Sequence, residues 1–138
     1  MAMKFPDKSA FGYTVGDITR LFRRVFDRRS AHLDLTRAQW PITTARQFPT
    51  LTPELPPDKR RRDLAAGLGV VVFEGPQGPG FFKGGHNNGT GNTWVCLDKR
   101  RSCAVLLSND VRAETIFPDL VRLLLGETGT PWDWEYGR

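Results

Sequence analysis

The stretch FFKGGHNNGTGN, residues 81–92, brings together side chains that could do chemistry. Lys83 offers a positive charge beside Gly84 and Gly85, which let another molecule come close to the backbone. At the end of a strand, these residues could form the wall of a site that binds something. The same residues also read as a glycine-rich hairpin with a solvated lysine. His86 could be a general base only beside a nucleophile, and none is assigned. As a metal ligand it has a single histidine companion, His32. The reading for His86 is a local hydrogen bond in the turn, with no metal and no cofactor. Trp94, Trp132 and Trp134 read as packing residues.

The elements that must position this stretch are short strands. GLGVVVFE (67–74), GFFKGG (80–85), NTWVCL (92–97) and SCAVLLS (102–108) are β-branched or aromatic-rich and bounded by Gly, Pro, Asn or Asp. Their brief connections predict an antiparallel meander of about four strands. Segment 102–107 is apolar on both alternations, which predicts an interior strand with both faces buried. Residues 113–126 return to a helical period through Ile116, Leu120, Leu123 and Leu124. Pro118 suits the first turn, so the regular helix should start near Phe117 and close at Gly126. The aromatic tail TPWDWEYGR should dock on the sheet.

The first part has a different grammar. Val15, Ile18, Phe22, Val25 and Phe26 recur at helical spacing, with arginines outside that stripe, predicting an amphipathic helix over 14–33. Thr14 and Asp17 form a capping pair, and Thr36 with Gln39 announces a second helix that Pro41 cuts off. Residues 41–66, with five prolines and the charge run DKRRRD, read as a linker. The expected divisions are thus 1–40, 41–66 and 67–138.

The net charge of +5 is uneven. Residues 1–62 hold 13 Lys/Arg against 6 Asp/Glu, a net of +7, whereas 63–138 hold 7 against 9, a net of −2. That invites a nucleic-acid hypothesis for the first half, but arginines at helical spacing are more often a solvated face. Apolar runs such as 103–107 are far too short to cross a bilayer, and no charged-then-apolar leader opens the chain. Cytoplasmic residence is the expectation. A four-residue loop at 98–101 would set Cys96 opposite Cys103. In a reducing compartment two buried thiols are favoured over a disulfide there.

ITTARQFPTLTPELPP, GLGVVVFEGPQGPGFFKGGHNNGTGN and AVLLSND…ETIFPDLVRLLLGETGTPWDWEY together resemble the C-terminal portion of β-lactamase-related serine hydrolases. These include class C β-lactamases, penicillin-binding proteins and related esterases. The resemblance covers residues 41–138 and implies a partial α+β transpeptidase-like fold. In that family a Ser-x-x-Lys supplies the nucleophile, a Tyr-x-Asn or Ser-x-Asn aids proton transfer, and a Lys-Thr-Gly lines the substrate. By resemblance, Lys83-Gly84-Gly85 takes the third position and His86 continues it, a substrate-binding remnant. Gly84 replaces the threonine. The residues three places before the five lysines are Met1, Phe5, Pro56, Gly80 and Cys96, so no Ser-x-x-Lys exists. Neither tyrosine opens a Tyr-x-Asn, and no Ser-x-Asn is present.

GYTVGDITRLFRRVFDRRSAHLDLTRAQW, within residues 11–40, is similar to the opening of MarR-type regulators, where a first helix helps build a dimer interface. The expectation is a hydrolase fragment that keeps the third-motif strand, lacks the nucleophile and has no activity alone. It would self-associate as a homodimer through residues 11–40 and take a small acyl substrate only if a complete site forms. The alternatives are a MarR-like dimerising regulator derivative and a structural oligomer without activity.

Overall fold

A computed structural model of the chain describes residues 15–26, 38–47 and 53–136. Six strands follow one another along the chain: β1 (Trp40–Pro41), β2 (Leu64–Ala66), β3 (Val71–Gly75), β4 (Gly78–His86), β5 (Gly91–Leu97) and β6 (Ser102–Ser108). Each pairs antiparallel with the next, so the spatial order is the sequence order. Short turns make this meander the direct solution. Gly78, at φ 91°, supplies the left-handed residue that closes the β3–β4 hairpin. At the β4–β5 turn the Asn87 side-chain oxygen accepts from the Gly89 and Thr90 N–H groups, each at 2.9 Å.

Alternation along the strands sorts the side chains onto two faces. One face carries Phe73, Phe82, Val95, Leu97 and Ala104 and makes the main core with Val121 and Leu125 of α2 (Phe117–Leu125) and Trp134 of α3 (Trp132–Tyr136). The Phe82 ring lies 6.1 Å from that of Phe73 and 6.3 Å from that of Trp132, centroid to centroid. The opposite face carries a smaller cluster around Phe81 and Cys96, with Val70, Trp94, Cys103 and Val105 beside it. Helix α1 (Val15–Phe26) lies against β6.

Helix α2 begins and ends where its sequence says. Pro118 stands in its first turn, and Gly126 at φ 80° closes it, its N–H donating to the Arg122 carbonyl at 2.8 Å. A 3-10 turn, Val111–Ile116, precedes it, capped by the Asp110 side chain. The aromatic tail docks as expected, with Trp134 buried in the core. Of α1, Asp17, Arg20, Arg23 and Arg24 are exposed, the polar face the pattern assigns. The side chains of its apolar stripe lie outside the described residues. So do Thr14, residues 27–33 of the expected helix, His32 and the Thr36 start signal.

Four expectations need correction. The sheet has six strands where the pattern predicts about four, because β1 and β2 lie in or beside segment 41–66, which reads as a linker. β1 is the edge strand and tolerates proline there: Pro41 pairs with Ala65 at the sheet's margin. The strand read from Gly67 starts at Val71, since the Gly67 N–H donates to the Val70 carbonyl at 2.9 Å and turns the chain there. β6 is an edge strand, not an interior one, and Leu107 on it is 43% exposed. Finally, Cys96 and Cys103 face each other as the loop length predicts, but they are joined in a disulfide. Their Cα atoms stand 4.1 Å apart, close enough for the bond.

Candidate functional site

Lys83, Gly84, Gly85 and His86 are the last four residues of β4, paired with Trp94, Thr93, Asn92 and Gly91 of β5. The 4.1 Å separation of Cys96 and Cys103 marks a pair without mutual ladder bonds, so the Cys96 N–H and C=O point at β4. Alternation then directs the backbone groups of Phe81, Lys83 and Gly85 toward β5. Those of Phe82, Gly84 and His86 point to the β3 side. But β3 reaches only to the Val71–Phe82 pair. Beyond it, no strand among the described residues runs beside Gly84 and His86. Among the described residues, 83–86 therefore form a strand end with one open edge.

The two faces of this strand end differ in charge. Lys83 lies on the Phe81 face, and its ammonium folds back to donate to the Gly84 carbonyl at 2.7 Å. Gly84 and His86 lie on the helix-covered face, under two buried carboxylates. Glu135 of α3 presses its carboxylate onto Gly84, where a Cβ would stand. Glu114, from the 3-10 turn, packs over Gly91, whose absent Cβ would come within 2.7 Å of the Glu114 Cγ. The Glu114 side chain is 8% exposed, and its Oε1 lies 3.4 Å from Nδ1 of the half-exposed His86. That oxygen has no hydrogen-bond partner among the described residues, so the imidazole is the group positioned to balance it.

Burial holds the Glu135 carboxyl above its ordinary value of 4.5; Lys83 and His86 pull it down, and Glu114 pushes it further up. The folded chain therefore keeps this proton at pH values where the unfolded chain has lost it. The resulting stabilisation is complete below the unfolded value of 4.5 and disappears as pH rises through the folded value. Glu135→Gln carries no such proton. The stability of wild type relative to this variant should fall as pH rises above 4.5, as read from urea midpoints. An unchanged difference would contradict the burial of this carboxyl.

The sequence reading located Lys83, Gly84, Gly85 and His86 and missed Glu114 and Glu135. A signal was available: glycine inside a strand marks a close approach by another group, and Gly84 and Gly91 both sit inside strands. His86 differs from its expected role, since Asn87 holds the turn and His86 faces Glu114. Trp132 and Trp134 pack with the main core and Trp94 with the smaller cluster.

The described clefts lie elsewhere. One of about 250 Å³ runs along β2 and β3, lined by Arg62, Leu64, Val72 and Glu74 among others. A second of about 140 Å³ lies between Asp119, Arg122 and Thr128. Among the described residues, no group of three or more His, Cys, Asp or Glu is placed to hold a metal ion. No helix there is long and apolar enough to cross a membrane. Compared with protein families, curated proteins and solved structures, the chain matches none.

Proposed function

We propose that this chain is the C-terminal part of a β-lactamase-related serine hydrolase, retaining its substrate-side strand but performing no acyl transfer alone. The observation that carries the reading is the open edge of residues 83–86, where the Gly84 N–H and the His86 N–H and C=O point away from β5, while the Gly84 carbonyl accepts from the Lys83 ammonium. An extended edge of this kind can hold an acyl group by main-chain hydrogen bonds. The missing Ser-x-x-Lys supports the lack of chemistry, since no acyl-enzyme forms by that route without it. The buried Glu114 carboxylate on the same face disfavours a carboxylate-bearing compound, whereas Glu135 holds its proton more tightly than an ordinary carboxyl and adds less.

Burst kinetics with a chromogenic ester test the chemical half of the proposal. Release should be linear from the first turnover, at the rate of the ester in buffer. A burst of one equivalent, lost on replacing Ser9, Ser30, Ser102 or Ser108, would overturn it.

A second reading has one observation in its favour. Helix α1 turns Arg20, Arg23 and Arg24 to solvent within the basic half of the chain, which suits a regulator-derived module that contacts phosphates. Arg20 is already paired with Asp17 at 2.7 Å, which weakens that reading.

A further inference from the structure

β6 closes the sheet, and no strand among the described residues pairs with its outer side. Because Cys96 and Cys103 lack mutual ladder bonds, the N–H and C=O groups of Cys103, Val105 and Leu107 all point away from β5. An edge like this is a template for another strand unless something blunts it. Ser102–Ser108 itself contains no charge and no proline to blunt it.

We propose that this edge pairs antiparallel with the same edge of a second copy of the chain, continuing the sheet across a two-fold axis. The sequence SCAVLLS matches itself when reversed about Val105. Val105 then faces Val105, Cys103 faces Leu107 and Ser102 faces Ser108, so no charge is buried and no like charges oppose. In that register every outward backbone group of Cys103, Val105 and Leu107 meets a partner. A two-fold interface requires just such a self-complementary patch.

The neighbouring surface points to the same occupant. Helix α2 lies against β6, and Leu123 and Leu124 on it are 80% and 58% exposed. Ile116, just before α2, is 52% exposed and Leu107 on the strand itself 43%. Leu107 shares its face with Cys103 and Val105, whereas Leu123 and Leu124 belong to α2 over the other face, so exposed apolar side chains flank the unpaired edge on both sides of the sheet, as at an interface. Pairing at β6 brings the α2 helices of two copies to the same side of the continuous sheet. Helix α1, which also touches β6, supplies no strand backbone to that edge.

Sedimentation and amide exchange on the full chain test this. The mass in solution should be twice 15.6 kDa. The amides of Cys103, Val105 and Leu107 should exchange roughly 100-fold more slowly than those of an exposed edge. Leu107→Lys places a charge on a side chain that is already partly exposed. It should halve the mass and release those three amides, while Ala104 and Leu106, bonded to β5, stay protected. Leu21→Lys on the exposed face of α1 should leave the dimer intact. A wild-type monomer at micromolar concentration overturns the proposal, and so does a dimer lost on Leu21→Lys or kept in Leu107→Lys. Should Leu107→Lys fail to fold, the wild-type exchange pattern decides, with fast exchange at residues 103, 105 and 107 counting against.

Discussion

Gly84→Thr, which rewrites residues 83–85 as Lys-Thr-Gly, should destabilise the fold by about 2–3 kcal/mol, the upper range for overpacking a closed site. The position has no room for a Cβ, because the Glu135 carboxylate already occupies it. A threonine must displace that carboxylate, and Glu135 is itself only 8% exposed and carried on the helix that also buries Trp134. Shortening the obstacle should relieve the clash. In a Glu135→Ala background the same substitution should cost about 1 kcal/mol or less, a coupling typical of side chains in contact. Urea denaturation of the four proteins measures it. Equal costs in both backgrounds would mean that Glu135 does not fill the space above Gly84.

Phe82→Ala should cost about 3–5 kcal/mol, the usual loss for a large buried aromatic truncated to alanine. Phe82 is 0% exposed and sits in the main core between Phe73 and Trp132. It is also the last residue of β4 held by β3, immediately before the open edge. Against a typical domain stability of about 5–15 kcal/mol, the loss leaves little margin for the site it supports. Thermal unfolding followed by circular dichroism tests this. A melting temperature lowered by only a degree or two would place the core elsewhere.

The strands around the site were legible because their alternation and turn residues are local signals. Residues 71–75, 78–86, 91–97 and 102–108 carry both. β1 and β2 were not legible, because Pro41 and the basic run before Leu64 read as connection, and only pairing to β3 makes Leu64–Ala66 a strand. The position of β6 was misread for a related reason. A strand apolar on both alternations predicts burial of both faces but says nothing about which neighbour, if any, occupies its edge.

The candidate site divides in the same way. Lys83, Gly84, Gly85 and His86 are contiguous, so one short window reveals them. Glu114 and Glu135 come from two separate elements far along the chain and meet the strand only in the folded state. Glu135 stands between Trp134 and Tyr136 and Glu114 within VRAETI, where a carboxylate reads as an exposed interruption. The disulfide shows the limit of arguing from compartment. Register alone placed Cys96 opposite Cys103, whereas the choice between thiol and disulfide rested on an assumed environment.

The measurement that bears most directly on the account is a chemical-shift titration of the labelled chain with ethyl phenylacetate and, separately, with phenylacetate. The open edge beside two buried carboxylates predicts that the neutral ester moves the amide signals of Gly84, Gly85 and His86, and that the anion moves them far less. Shifts that gather instead along β2 and β3, or an anion that perturbs residues 83–86 as strongly as the ester, would contradict it.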